Sequence, residues 1–159
     1  MKRLLMVLDN KFRQPVNKLV LEEWGSPIIT KGVQHDISDA AGFIYLVNGD
    51  LAGYVLYNIQ DALCEILVLQ SMKENCGIGT ALVNAVIDIA RGNKCSKVWL
   101  ITTNDNIRAI RYYQRIGFDL AAVHINALDK SRQLKPCIPL YGNENIPLKH
   151  EFEFELKLA

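Results

Sequence analysis

Residues 64–118 constrain the fold more than any other stretch, because they predict two strand–turn–helix units in succession. Cys64–Leu69 is an apolar, β-branched run typical of a strand. After a glycine turn, apolar residues recur at spacings of three and one, which predicts an amphipathic helix. They are Ile78, Ala81, Leu82, Ala85, Val86, Ile89 and Ala90. Val98–Ile101 then predicts a strand buried on both faces, and a right-handed crossover should make the two strands parallel neighbours.

The turn between the first strand and the helix reads Glu74-Asn75-Cys76-Gly77-Ile78-Gly79-Thr80. Glycines let the backbone approach a bulky group, and the first helical N–H groups have no partner inside the helix. Together with the helix dipole these groups favour an anion, which predicts a phosphate site. The turn lacks the Lys-Ser/Thr of a Walker loop and the third glycine of the dinucleotide fingerprint. Taken alone, it is equally compatible with tight packing and no ligand.

The stretch Thr102–Phe118 makes the ligand more specific. With the glycine turn it resembles the GNAT N-acetyltransferase superfamily, whose acetyl-CoA turn reads Arg/Gln-x-x-Gly-x-Gly/Ala. The second signature of that family, Asn-x-x-Ala-x-x-x-Tyr-x-x-x-Gly-Phe, is matched by Asn106, Ala109, Tyr113, Gly117 and Phe118. One position departs, because Glu74 stands where the family usually has Arg or Gln. An acid beside a pyrophosphate is unfavourable, although the adjacent Lys73 could restore positive charge.

The remaining patterns complete a mixed α/β prediction. Lys2–Leu8 predicts a first strand and Phe12–Trp24 a helix. Gly42–Val47 and Asp50–Ile59 flank Asn48-Gly49, the strongest short-range signal for a hairpin. The resemblance implies a GNAT-like acyl-CoA N-acyltransferase fold, with a central, mostly antiparallel sheet, one splayed parallel strand pair and flanking helices. We expect a single domain of this kind over residues 1–159.

Two less regular segments interrupt these elements. Lys31–Ala41 is polar and predicts a loop, following a short strand at Pro27–Thr30. Ala127–His150 is a 24-residue connection with three prolines, which predicts a long loop holding a short helix near Leu128–Leu134. The motif Ser131-Arg132-x-Leu134-Lys135-Pro136 within it resembles a bacterial subgroup of uncharacterised GNAT proteins.

The final segment, Glu151–Leu158, alternates strictly between charged and apolar residues. Period two places Phe152, Phe154, Leu156 and Leu158 on one face and the charges on the other. This pattern predicts an antiparallel strand with one solvated face. Such a terminal strand could pair with a second copy, and GNAT proteins are often dimers, so a homodimer is compatible with the sequence.

Composition restricts the partners and the compartment. The 159 residues carry a formal charge of +1 with interspersed signs, which does not indicate a nucleic-acid surface. No apolar run approaches the roughly 20 residues that span a bilayer. The four cysteines match neither a metal motif nor a redox pair, which favours reduced thiols in a cytoplasmic protein and no bound metal.

The resemblance also implies where acetyl-CoA, the cosubstrate, would bind. Its pantetheine amides would pair with the backbone of Leu67, Val68 and Leu69, and an N–H near Leu69 would hold the thioester oxygen. The turn from Glu74 to Thr80 would hold the pyrophosphate, with Asn106 and Ala109 beside it. Tyr113 stands at the family's position for the acid that protonates the leaving thiolate. A phenol with a pKa of about 10 can do so at neutral pH.

The general base is less defined. By period two, Glu65 should share a strand face with Leu67 and Leu69, and burial there would raise its pKa toward that of a base. Glu65 could instead be the structural partner of an arginine. His124 and His150 are alternative bases near the expected acceptor end.

The sequence therefore favours an acetyl-CoA-dependent N-acetyltransferase that acetylates a primary amine of a small molecule by direct attack. The region after the first helix borders the acceptor in the resembling family, so Trp24 is a candidate substrate-binding residue. Its alternative is a core tryptophan. An acceptor that is a protein α-amine or lysine stays open, and so does a CoA-binding module without turnover. A nucleotide-binding domain is disfavoured by the turn.

Overall fold

A mixed seven-stranded sheet, a two-stranded hairpin and four α-helices make up residues 1–158, which the computed structural model describes. In chain order they are β1 (Arg3–Val7), α1 (Asn10–Trp24), β2 (Ile28–Thr30), β3 (Val33–His35), β4 (Ala41–Val47), β5 (Asp50–Gln60), β6 (Leu63–Ser71), α2 (Ile78–Gly92), β7 (Lys97–Thr103), α3 (Ile107–Arg115), β8 (Asp119–His124), α4 (Ala127–Leu134) and β9 (Glu151–Lys157). A 3₁₀ turn, Asn143–Asn145, lies before β9. None of the helices within residues 1–158 is long and apolar enough to cross a membrane.

The sheet has the strand order β1-β4-β5-β6-β7-β9-β8. Strands β6 and β7 are parallel, and every other neighbouring pair is antiparallel. Helix α2 connects the parallel pair, as a βαβ crossover requires. The predicted fold class, a mostly antiparallel sheet with one parallel pair, is confirmed.

The parallel pair separates after its first half. Strand β6 pairs with β7 only from Leu63 to Ile66, although the two strands continue to Ser71 and Thr103. Beyond Ile66, β6 has a strand partner on one side alone, the antiparallel β5. The sheet therefore opens into a cleft that begins one residue after Glu65.

A bulge in β6 changes which side chains share a face. Leu56 of β5 lies opposite Val68 and Tyr57 lies opposite Ile66, so Leu67 is the extra residue. Leu67 packs toward α1, whereas Leu69 packs toward α2. The prediction that Glu65, Leu67 and Leu69 share one face was wrong for Leu69, because the bulge interrupts the alternation.

Helices cover the two faces of the sheet with separate apolar clusters. Helix α1 begins at Asn10, two residues earlier than predicted, because Asp9 caps it by accepting the Phe12 N–H. Its buried residues Val16 and Val20 pack against one face. Helix α2 presents its predicted apolar stripe, centred on Leu82 and Val86, to the other face. The cleft between β6 and β7 thus lies between two well-packed layers.

The segment predicted as a polar loop contains a strand. Val33–His35 forms β3 and pairs with β2, with Ile28 opposite His35 and Thr30 opposite Val33. Lys31 and Gly32 make the turn with positive φ. The loop prediction was wrong here because a hairpin packed on one face needs few apolar residues. The predicted short helix in the long connection is present as α4.

The C-terminal strand differs most from its prediction. Strand β9 lies inside the sheet, between β7 and β8. Glu151 is 2% exposed and Glu153 is 8% exposed, so the predicted solvated face is buried. The idea that this strand pairs with a second copy was also wrong, because both of its edges are already paired and the edge strands are β1 and β8.

Candidate active site

The glycine turn presents unpaired backbone donors at the start of α2. Gly77 has φ of 74° in the left-handed region and precedes the helix without a side-chain cap. Within residues 1–158, the N–H groups of Ile78, Gly79 and Thr80 have no hydrogen-bond acceptor. Arg3 holds the turn by donating to the Cys76 carbonyl at 3.0 Å. This arrangement suits an anionic group, which the free N–H groups and the helix dipole would stabilise.

A groove of about 630 Å³ runs from this turn along the open end of β6 to the end of α1. The residues that line it include most of those predicted for cosubstrate and acceptor: Trp24, Leu69, Glu74, Asn75, Cys76, Gly77, Ile78, Gly79, Thr80, Asn106, Ala109 and Tyr113. Leu67, Val68 and Glu65 are not among them. The side chains of Leu67 and Val68 pack in the α1 cluster, and the Glu65 side chain is buried on the same side of the sheet.

The acid at the turn is neutralised by a residue that the sequence analysis did not select. The Glu74 carboxylate lies 2.5 Å from Arg108 at the start of α3, and both side chains are mostly exposed. Lys73, predicted to compensate Glu74, lines the groove together with Arg111 and Arg115. The groove therefore has an excess of cations around the free N–H groups.

Helix α3 places its signature residues against the turn. Asn106 caps the helix by accepting the Ala109 N–H at 3.2 Å, and both residues line the groove. Tyr113 is only 7% exposed and packs against Phe118 and Phe154. Burial raises the pKa of Tyr113, so its hydroxyl stays protonated at neutral pH.

Tyr112, the residue before Tyr113 on α3, also reaches the turn. It lines the groove, and its hydroxyl lies 2.9 Å from Thr80 Oγ1. The Tyr112 hydroxyl also lies beside Gly79, where an added Cβ would be 3.4 Å from it. Two adjacent tyrosines of α3 thus line one groove, which helical period alone does not predict.

Trp24 contacts both the groove and the apolar cluster on the α1 side of the sheet. It ends α1, lines the groove and is 36% exposed. Its ring also meets Tyr54 edge to face at 6.4 Å. The Trp24 carbonyl accepts a hydrogen bond from Lys135, which follows α4. The tryptophan is therefore held in place while one edge faces the groove.

Glu65 occupies a buried polar cluster on the α1 side of the cleft. It is 5% exposed, and its Oε2 accepts a 2.8 Å hydrogen bond from Thr30 of the β2–β3 hairpin. Its partners are thus Thr30 and His35 (3.8 Å) rather than the arginine that the alternative interpretation expected. Burial raises the pKa of Glu65 to about 7.

The alternative bases have structural partners. His150 Nδ1 accepts the Asn126 N–H at 2.8 Å, which fixes the ring at the start of α4. His124 Nε2 lies 3.0 Å from Glu153 of the neighbouring strand. Sequence reasoning missed Thr30, His35 and Glu153 because their contacts with Glu65 or His124 join distant segments. Gly32 was a local signal in the sequence for the hairpin that carries Thr30 and His35, because its turn has positive φ at Lys31 and Gly32.

Comparisons with known proteins agree with this geometry. The family model for the acetyltransferase (GNAT) family matches residues 9–118. An uncharacterised protein of Bacillus subtilis (strain 168), YdhI, is 40% identical over 136 residues, 84% of each chain. A streptothricin acetyltransferase from Streptomyces lavendulae is 33% identical over 92 residues, 55% of this chain and 49% of that protein.

A solved structure shares the fold. A GNAT family acetyltransferase from Elizabethkingia anophelis, with acetyl-CoA bound, superposes with a TM-score of 0.72 at 15% identity, covering 98% of both chains. A splayed strand pair beside a donor-rich turn is what the resemblance predicted for acyl-CoA-dependent acyltransferases. The chain belongs to the acetyltransferase (GNAT) family.

Proposed function

We propose that this chain is an N-acetyltransferase that transfers the acetyl group of acetyl-CoA to a primary amine of a small molecule by direct attack. One observation supports the proposal most: the free N–H groups at Ile78–Thr80 lie in the same region as the cleft that opens between β6 and β7 after Ile66. The first suits a pyrophosphate, and the second leaves backbone groups of β6 for an extended amide chain.

The cosubstrate would lie along the groove. The turn from Glu74 to Thr80 would surround its pyrophosphate. The backbone of Leu67, Val68 and Leu69 would pair with the pantetheine amides, since β6 has no partner on that side. Asn106 and Ala109, at the start of α3, would border the same chain. Binding there directs the thioester toward the cleft between β6 and β7.

The chemistry would use one residue on each side of the cleft. The amine nitrogen attacks the thioester carbon, forming the C–N bond, and the C–S bond then breaks. Glu65 takes the proton that the amine loses, and its pKa of about 7 leaves it substantially ionised at neutral pH. Tyr113 gives a proton to the leaving thiolate, which is supported by its place at the groove and its protonated hydroxyl. The Tyr113 phenolate takes a proton from water in the groove when CoA leaves, which balances the proton taken by Glu65.

The similarity to a streptothricin acetyltransferase supports a small-molecule acceptor. Trp24 would border that acceptor where the groove meets α1. Streptothricin and a panel of primary amines are therefore the first acceptors to assay, with peptides bearing a free α-amine or a lysine beside them. Acetylation of peptides alone would favour the protein-directed alternative. Tight binding without any transfer would favour a sensor module.

Calorimetric titration with acetyl-CoA tests the cosubstrate site. We expect the wild type and Tyr113→Phe to bind and Gly77→Glu to lose binding, because a carboxylate would enter the anion site. Gly49→Glu, in the turn between β4 and β5, is the matched control, because Gly49 is also left-handed (φ 83°) and in open space. In the transfer assay Tyr113→Phe should lower kcat on the order of a hundredfold at unchanged Kd. Binding by Gly77→Glu as tight as wild type would overturn the assignment.

The assembly and compartment follow from the same proposal. The free cysteines, with Cys64 and Cys95 buried, support a reducing cytoplasm. A homodimer would form at an edge of the sheet, and β8 exposes Leu120 and Val123 there. Light scattering on the wild type and on Val123→Lys measures this, with a shift from dimer to monomer expected for the variant. A wild type that is already monomeric would contradict the dimer.

A further inference from the structure

A base as buried as Glu65 needs a route for its proton. Glu65 is 5% exposed and lies outside the groove that the cosubstrate would fill. Under the proposed function it gains a proton in every cycle and must return to the carboxylate before the next. Acetyl-CoA and the acceptor would occupy the cleft during the reaction. A route on the α1 side of the sheet would let the proton leave without waiting for the products to be released.

The β2–β3 hairpin supplies a continuous chain of hydrogen bonds on that side. Thr30 Oγ1 lies 2.8 Å from Glu65 Oε2 and 2.7 Å from His35 Nε2. Thr30 is 7% exposed, whereas the His35 side chain is 15% exposed and has its second ring nitrogen, Nδ1, free of protein partners within residues 1–158. The hydroxyl thus bridges a buried carboxylate and a partly exposed imidazole.

We infer that Thr30 and His35 form a proton relay that returns Glu65 to its ionised state by carrying the amine proton to solvent. The inference rests on the proposed function of Glu65 as the base. A threonine hydroxyl can donate and accept at once, and an imidazole can exchange protons at both nitrogens. A valine of the same shape would fill the space equally well but could not pass a proton.

The hydrogen bonds between Glu65 and His35 reverse direction when Glu65 gains a proton. Before reaction, Thr30 donates to the Glu65 carboxylate, and His35 Nε2–H donates to Thr30. After Glu65 takes the amine proton, Oε2–H donates to Thr30 and Thr30 donates to His35 Nε2, because exchange with water removes the Nε2 hydrogen of His35 and adds one at Nδ1. Transfer along both bonds leaves Glu65 ionised and His35 as the imidazolium. His35 releases its extra proton to water, and no oxidant or cofactor takes part.

Transfer of the proton from Glu65 to His35 runs uphill and is drawn forward by its release to water. The Lys31 ammonium pairs with Glu153 at 3.2 Å, and the Lys31 N–H is held by Glu151. Glu151 and Glu153 face Glu65 from β9 and disfavour its ionised form, whereas Lys31 and the Thr30 hydrogen bond favour it. Burial lowers the pKa of His35, so the imidazolium gives up its proton readily.

Paired variants separate proton transfer from packing. Thr30→Val should lower kcat roughly tenfold to a hundredfold, while Thr30→Ser, which keeps the hydroxyl, should stay near wild type. His35→Ala should lose a similar factor, and added imidazole should restore it. His150→Ala, which removes another half-buried histidine, is the control that imidazole should not affect. Calorimetry with acetyl-CoA checks that each variant keeps the wild-type Kd and is therefore folded.

The outcomes distinguish the relay from the function it rests on. If Glu65→Gln is slow but Thr30→Val and His35→Ala keep the wild-type kcat from pH 6 to 9, the relay is wrong and the base stands. If Glu65→Gln keeps the wild-type kcat, the base assignment fails, and the relay fails with it. A loss in His35→Ala that imidazole does not restore would assign His35 to packing and overturn the relay.

A spectroscopic measurement decides the case without any acceptor. Nitrogen-15 shifts of the His35 ring report which nitrogen carries the hydrogen. We expect the Nε2–H tautomer when Glu65 is ionised and the Nδ1–H tautomer when Glu65 is protonated, with the switch absent in Thr30→Val and Glu65→Gln. If the His35 tautomer is the same whether Glu65 is ionised or protonated, the relay is wrong.

Discussion

Glu74 shows how one residue departs from its family and is compensated by another. Its carboxylate is at the mouth of the predicted pyrophosphate site, and Arg108 neutralises it from the next helix. An exposed ion pair of this kind contributes about 1 kcal/mol at most, so a phosphate could take Arg108 from it at small cost. The departure should therefore weaken cosubstrate binding without abolishing it.

We expect Glu74→Gln to lower the Kd for acetyl-CoA by roughly threefold, because Arg108 becomes free for the phosphates and a repulsive charge is removed. Calorimetry at low and high salt measures the effect, which should shrink as salt rises. Glu22→Gln, an exposed acid on α1, is the control. A Glu74→Gln variant with weaker binding would show that the carboxylate has a positive role.

Glu65 should couple stability to pH. Its folded-state pKa of about 7 lies above the usual value of 4.5, so the folded protein binds the proton more tightly than the unfolded chain does. The raised pKa of Glu65 adds to the free energy of unfolding by its full amount below about pH 4.5, and this contribution is lost as pH rises through 7. Glu65→Gln should therefore gain stability relative to wild type between pH 5 and 8, while losing activity. Denaturant unfolding of wild type and Glu65→Gln at pH 5 and at pH 8 measures this gain. A difference in the free energy of unfolding between the two proteins that is the same at both pH values would contradict the prediction.

At the scale of elements, the long connection between β8 and β9 is held in place by hydrogen bonds from two basic side chains. Arg132 on α4 donates to the carbonyls of Ile138, Pro139 and Leu148, which ties both arms of the connection to the helix. Lys135 donates to the carbonyls of Trp24 and Pro27, which attaches the same segment to the end of α1. The sequence motif around Arg132 is thus explained by contacts that attach the connection to α4 and to the end of α1.

We expect Arg132→Lys to loosen this connection, since one ammonium cannot reach three carbonyls in the plane of a guanidinium. Lost hydrogen bonds worth on the order of 1–2 kcal/mol should speed local hydrogen exchange roughly tenfold. The amides of Gly142 and Leu148, which bond across the connection, report it. Arg91→Lys, exposed at the end of α2, is the control, and unchanged exchange at Gly142 would contradict the role of Arg132.

At the scale of the whole molecule, one sheet connects two apolar clusters. Val20 of α1 and Leu82 of α2 are fully buried on opposite faces. Within β6, Ile66 and Leu69 belong to the α2 cluster and Leu67 and Val68 to the α1 cluster, so neither layer can loosen without disturbing the strand that carries the cleft. This shared strand should make the two layers unfold together.

We expect Leu82→Ala to lower the free energy of unfolding by about 2–5 kcal/mol and Val20→Ala by less, in line with the volume removed. Each variant should still melt in one transition, with coincident curves by far-UV and near-UV circular dichroism. Two separated transitions in either variant would show that the layers are independent.

The sequence by itself determined most of the helices and strands, and the glycine turn. Period and glycine or asparagine placement depend on neighbours a few residues away, so α2, the parallel pair and the Asn106 cap could be predicted. The match to the second signature pointed to Tyr113 in the same local way. These features could be found without knowing how distant segments meet.

Only the tertiary structure decided which polar side chains are buried and what they contact. Glu151 and Glu153 looked solvated because alternation shows that a strand has two faces, yet it does not show that a hairpin covers the charged one. Thr30 and His35 meet Glu65 across 30 or more residues of sequence, through a hairpin with few apolar residues. Such contacts arise from the packing of separate elements, and no local pattern encodes them.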